Sequence, residues 1–184
     1  MGGHHLILGK LTDFLTGEEL DDTLDERYRQ SIARWLVAPK GYAPREIEPR
    51  RDLLLQAGQR RAVIIIDFVV RVAGKVGMVI RFGPGSLVSR QRPTLAVSRL
   101  VEAYQVPIAV VTNGQDAEVL AAESGNILGR GLESIPSRSE LLDRVQTYAF
   151  EAITPQRALM EARIAYFYEV DGACPCDDTI CRLS

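Results

Sequence analysis

Residues Arg61–Ser86 read RAVIIIDFVVRVAGKVGMVIRFGPGS. An apolar run, Ala62–Val70, is broken once, by Asp67. Val72-Ala-Gly-Lys75 has the composition of a tight turn. A second run, Val76–Phe82, carries Arg81 and stops at Gly83-Pro84-Gly85. Short β-branched runs bounded by Gly and Pro are the pattern of strands, and near-continuous apolarity predicts a hairpin buried on both faces. A carboxylate inside such a run is costly unless a cation, a metal or hydrogen bonds compensate it. Asp67 is therefore the residue that needs a reason.

Upstream, Leu24, Tyr28, Ile32, Trp35 and Leu36 recur at helical spacing, which predicts a helix over Leu24–Val37 ended by Ala38-Pro39. Glu26 and Gln30 lie off that stripe and read as an exposed face. Leu11–Gly17 reads as a short helical turn, and Glu46–Leu55 as a first strand. Downstream, a helix is expected from Arg90 to Tyr104, a strand over Pro107–Val111, a partly helical edge over Asp116–Ala122 and a short strand over Asn126–Leu128. Ser137 with Glu140 has capping-box spacing and predicts a helix from Arg138 to Phe150. Thr154-Pro155 starts another, to about Glu169. The end, Asp171–Ser184, shows no periodicity. Core elements thus run helix, strand, strand, strand, helix, strand: a mixed β-sheet flanked by helices. Residues 1–150 read as the core and 151–184 as a C-terminal helix with a cysteine-containing tail.

The chain has 184 residues, 46% hydrophobic and 25% charged, which is ordinary for a globular protein. No apolar run approaches the roughly 20 residues that cross a bilayer. The N-terminus lacks the basic-then-apolar layout of a secretory signal, so a cytoplasmic location is expected. His4 and His5 are adjacent and cannot face one way a helical turn apart, so they read as a loose terminus rather than metal ligands. The net charge of −2 conceals a basic middle. Between Lys40 and Arg99 the only acids are Glu46, Glu48, Asp52 and Asp67, against many arginines. Arg50, Arg51, Arg60, Arg61, Arg90 and Arg92 are the candidates for phosphate contacts, which makes DNA the expected partner. A solvated basic face is the plain alternative.

An acid in the middle strand and a cation near the end of the third resemble the restriction-endonuclease-like fold of PD-(D/E)xK nucleases. Narrower features resemble the N-terminal domain of type I restriction enzyme R subunits. Glu26-Arg27-Tyr28-Arg29-Gln30 is similar to that family's helix with a Glu followed by Arg-Gln. Gly41-Tyr42, the strand Arg61 to Asp67, and Val111-Thr112-Asn113-Gly114 match further segments. The resemblance runs from about Leu24 to Arg138.

It implies a site in which Asp67, a Glu on the next strand and a Lys two residues later hold Mg or Mn and a water for phosphodiester cleavage. Here that next strand offers Val79-Ile80-Arg81. Val79 binds no cation, and Arg81 keeps a charge but stays protonated, so it is no base. Glu48, Asp52 or Glu26 could replace the missing acid. Alternatively Asp67 and Arg81, on neighbouring strands, form a buried ion pair that needs no metal. Cys174, Cys176 and Cys181 cluster near the C-terminus. A zinc or iron–sulfur centre there lacks a fourth cysteine, so a free thiol tail or a site shared between subunits is expected. Three functions stay open: a DNA-binding domain with weakened catalysis, a working metal-dependent endonuclease using Asp67, Arg81 and a displaced carboxylate such as Glu26, and a subunit or homo-oligomer serving protein contacts.

Overall fold

The computed structural model describes residues 6–173 and 180–183. In chain order the elements are β1 (Lys10–Thr12), β2 (Glu19–Asp21), α1 (Leu24–Val37), β3 (Ile47–Ala57), β4 (Arg60–Val72), β5 (Lys75–Phe82), α2 (Val88–Ser98), β6 (Ile108–Thr112), β7 (Ala117–Ala121), β8 (Ile127–Arg130), α3 (Arg138–Thr147), α4 (Pro155–Tyr166) and β9 (Cys181–Leu183). β1 and β2 form a small antiparallel ribbon. The remaining strands make one mixed sheet in the order β3-β4-β5-β6-β7-β8. Among the described residues only β5 and β6 run parallel, joined by the α2 crossover, and the other strand pairs are antiparallel.

The expected hairpin is β4–β5. Ala73 (φ 48°) and Gly74 (φ 76°) both take left-handed backbone at its turn, the two-residue geometry whose twist matches the flanking strands. Thr23 caps α1 by accepting from the Glu26 N–H. Ser137 and Glu140 close a capping box on α3, and Thr154 with Pro155 opens α4.

Helices cover both faces of the sheet. Ile32 and Leu36 of α1 and Leu141 and Val145 of α3 pack with Phe68, Val70, Met78 and Ile80. Ala96 and Val97 of α2 and Ala165 and Tyr166 of α4 pack with Leu53, Leu55, Ile64, Ile66 and Val79. Ile64, Ile66, Phe68 and Val70 would share one face of a regular strand. Instead the first two join the α2/α4 layer and the last two the α1/α3 layer. The pleat of β4 therefore changes phase at Asp67. Across the ladder β3 does the same, between Ile47 and Leu53, at Arg50, which has a left-handed φ of 52°.

Several local expectations give way to tertiary context. Residues 116–122 are not helical: β7 is held as a strand between β6 and β8. Residues 10–12 are a strand followed by a turn rather than a helical turn. α2 ends at Ser98 instead of Tyr104, α3 ends at Thr147, and α4 ends at Tyr166 in a wide π-type turn, Phe167–Asp171. The C-terminal stretch contributes β9, laid antiparallel on Arg61–Val63 of β4 beyond the end of β5. Among the described residues no helix is long and apolar enough to cross a membrane. The terminal histidines, Cys174 and Cys176 lie outside the described residues.

Candidate functional site

Asp67 sits where the β4–β5 ladder ends, one rung past the Phe68–Ile80 pair. Its residue is only 6% exposed. Oδ2 accepts the backbone N–H of Phe82 at 2.8 Å, so the side chain takes a donor that the ladder leaves over. Oδ1 accepts from Arg29 Nε at 2.7 Å, and Arg81 Nε lies 3.4 Å from Oδ2. Arg81 also donates to Glu169 at 2.6 Å, from the turn after α4. Arg29 lies 3.6 Å from Glu26 on its own helix and places its guanidinium 5.0 Å from the Phe82 ring centre. Burial works against the charge on Arg81, but Glu169 and Asp67 outweigh it and hold the guanidinium above its ordinary value. Arg29 is raised likewise, burial being overcome by Asp67 and then Glu26.

The pairing of Asp67 with Arg81 that the hairpin suggested is present, yet the closer partner is Arg29. Both cations matter for the metal question. A divalent ion at Asp67 would have to displace two guanidinium groups and a backbone N–H from one carboxylate, and would then face those cations directly. Among the described residues no cluster of three His, Cys, Asp or Glu side chains is placed to hold a metal. The donor set at Asp67 does not fit Mg or Mn. Val79 is fully buried between Val69 and Ala109 in the core. Glu48 is engaged by Arg51, and Asp52 pairs with Ile65 two rungs from the end of the hairpin site.

Glu26 and Gln30 are not an exposed face. They are 8% and 4% exposed, because the β1–β2 ribbon lies against that side of α1. Gln30 Nε2 donates to Glu26 at 2.8 Å and to Asp13 at 2.9 Å, while its Oε1 accepts from the Phe14 N–H. Arg50 Nη1 donates to Asp13 at 2.7 Å and lies 3.9 Å from Glu26. Burial pushes the Asp13 carboxyl up, but Arg50, the Thr16 N–H, Gln30 and the Leu15 N–H together bring it down to about 2. A string of alternating charge results: Asp13, Arg50, Glu26, Arg29, Asp67, Arg81, Glu169. Of these, Asp67, Arg81 and Glu26 were candidates for a catalytic site and Arg50 for a phosphate contact. Arg29, Asp13 and Glu169 were not among the candidates, and only Arg29 carried a signal in sequence, its place in the Glu-Arg-Tyr-Arg-Gln segment.

Beside this string, the Thr112-Asn113-Gly114 turn packs on α1. Asn113 Oδ1 accepts the N–H groups of Gln115 and Asp116, and Thr112 Oγ1 accepts that of Gly114. Gly114 has φ 86°, and a Cβ there would lie 2.5 Å from the Tyr28 ring. Only glycine fits between that turn and the helix.

The six arginines expected at phosphate do not gather in one patch. Arg50 is bound in the string above. Arg51 contacts Glu48 and Glu102. Arg60 pairs with Asp171 and lies 4.6 Å over Tyr166, about 20 Å along β4 from the rung of Arg51. Arg92 is bound to buried Glu161 at 2.7 Å. Arg61, at the exposed start of β4, and Arg90, packed against Gly83 beside Phe82, have no carboxylate partner among the described residues. Cys181 is exposed on β9 with a free thiol.

The family model describing the type I restriction enzyme R protein N terminus matches residues 24–136. No curated protein and no solved structure matches at a significant level. The matched segment includes Glu26, Arg29, Asp67 and Arg81, and leaves out Asp13 and Glu169.

Proposed function

We propose that this chain, which belongs to the family of the type I restriction enzyme R protein N terminus, binds DNA while its capacity to cut DNA is weakened or lost. The observation that carries this reading is the closure of Asp67 by Arg29, Arg81 and the Phe82 N–H. Hydrolysis of a phosphodiester needs a cation on the scissile phosphate and an activated water. Here the acid that would recruit the cation is neutralised twice over, and Val79 replaces the second acid that the resemblance calls for. Neither arginine can serve as a base.

DNA binding rests on cations without acidic partners among the described residues: Arg90, packed against Gly83 just after β5, and Arg61, at the exposed start of β4. Titrating a fluorescent duplex by anisotropy at rising salt tests this. Each phosphate contact contributes about −0.9 to the log–log salt slope, so two contacts give a slope of about −2. Absence of binding at low salt, or an affinity indifferent to salt, rejects the reading.

A subunit role has its own observation. Leu159, Met160 and Phe167 are each more than half exposed along α4 and the turn after it, an apolar strip of the kind protein contacts cover. Sedimentation of the pure protein separates the two: self-association with no DNA affinity favours the subunit role.

A further inference from the structure

Three arginines converge on one buried carboxylate far from Asp67. Glu161 of α4 has no exposed surface. Arg157 Nε donates to it at 2.6 Å, Arg99 Nη1 at 2.8 Å, and Arg92 Nη2 lies 2.7 Å away. One carboxylate neutralises one of these cations, which leaves two positive charges in excess in the layer between α2 and α4. Arg99 cannot swing away, because its Nε and Nη2 are tied to the carbonyl oxygen of Ala122 at 2.9 and 2.6 Å. Burial and the neighbouring Arg157 and Arg92 lower its proton affinity, with Glu161 only partly restoring it.

A cavity of about 440 Å3 opens onto this cluster. Arg99, Arg157 and Gln105 line it on the polar side, and Ile153 and Met160 on the apolar side. Gln105 Nε2 is buried with no hydrogen-bond partner among the described residues, an arrangement that costs stability unless a ligand acceptor meets it. Arg157 spends only Nε on Glu161 and is about half exposed, and its outer nitrogens have no other partner among the described residues. Thr154 and Gln156 bring the amino-terminal end of α4 to the same wall, where the helix dipole favours negative charge. Glu123 and Glu151 stand at the rim, exposed to solvent. Solvent screens them more than it screens the buried Arg99.

We propose that this cavity binds a small phosphate monoester: Arg157 and the Gln105 amide donate to the phosphate, Arg99 supplies the field, and Ile153 and Met160 take the organic part. Arg157, half exposed beside the buried Arg99, suits an anion, and the planar donors of arginine suit phosphate oxygens. The volume admits a ligand of nucleotide size. The site is independent of the Asp67 reading, since Arg157 and Glu169 are separated by about 18 Å of helical rise.

Calorimetric titration of the intact protein with inorganic phosphate, adenosine 5′-monophosphate and adenosine tests it. Both phosphates bind and adenosine does not. Arg157→Met and, separately, Gln105→Leu weaken the monophosphate at least about tenfold, and Glu151→Gln tightens it. A 5′-phosphorylated trinucleotide that outcompetes the mononucleotide assigns the phosphate to a nucleic-acid end, and the reverse order assigns it to a free metabolite; both support the site. No heat and no protection from thermal unfolding with either phosphate, or binding that Arg157→Met leaves unchanged, overturns it.

Discussion

Replacing Asp67 with alanine removes the anion on which Arg29, Arg81 and the Phe82 N–H converge. The charge-assisted bond to Arg29, whose side chain is 25% exposed, is worth about 1.5–3 kcal/mol. The buried Phe82 N–H left without an acceptor costs about 1–3 kcal/mol more. Arg81 keeps Glu169, but it and Arg29 then repel with nothing between them. The sum is a loss of about 2.5–6 kcal/mol, centred on the range of about 3–5 kcal/mol expected for breaking a buried ion pair from one side. With a urea slope of about 2 kcal/mol per molar, the unfolding midpoint falls by about 2 M. Asp67→Asn keeps the shape and one acceptor oxygen and should lose about half as much. Equilibrium urea denaturation followed by circular dichroism reads both. An acid held in place for metal chemistry is a stability burden, and removing it is neutral or stabilising. An Asp67→Ala variant within about 1 kcal/mol of the wild type, or above it, refutes the structural role assigned to this carboxylate.

Other perturbations give separate checks. Asp13, held at about 2 against an ordinary 3.8, is a depressed carboxyl: its contribution is complete above the unfolded value and is lost as pH falls from about 4 toward 2. It is worth ~2 kcal/mol, so Asp13→Asn should flatten the stability profile in that window, as acid titrations of thermal unfolding would read. Gly114→Ala must hold a left-handed backbone and displace the Tyr28 ring; the backbone alone costs about 1–2 kcal/mol, visible as a lower melting temperature, and an unchanged one would contradict the packing of that turn on α1. Asp171→Ala should change stability by less than about 1 kcal/mol, because its partner Arg60 is 60% exposed; a loss as large as that of Asp67→Ala would show that the two sites are coupled.

What the sequence made legible was what neighbouring residues decide among themselves. Helix α1 begins at Leu24, the first residue of its apolar stripe, and ends before Ala38-Pro39, the β4–β5 hairpin turns at Ala73-Gly74, and α3 starts at its capping box, because each signal and its effect lie within a few residues. Asp67 stood out since an acid in an apolar strand is anomalous before any partner is known. The partners were another matter. Arg29 reaches Asp67 across 38 residues, and nothing in a helical Glu-Arg-Tyr-Arg-Gln says which arginine turns inward. Glu26 and Gln30 looked exposed because the ribbon that covers them, β1–β2, was itself unread. Residues 117–121, Ala-Glu-Val-Leu-Ala, carry helix-forming residues and become a strand only because β6 and β8 supply the hydrogen bonds. Arg157 and Glu161 have the spacing of a surface ion pair; α2 packing over α4 makes the glutamate a buried hub.

The most direct test of DNA binding without cutting is one agarose gel of supercoiled plasmid incubated with the protein and Mn2+, run with the protein bound and again after its removal. The account predicts a retarded band that returns to intact supercoiled DNA. Nicked or linear plasmid after removal, abolished by Asp67→Asn, would contradict it.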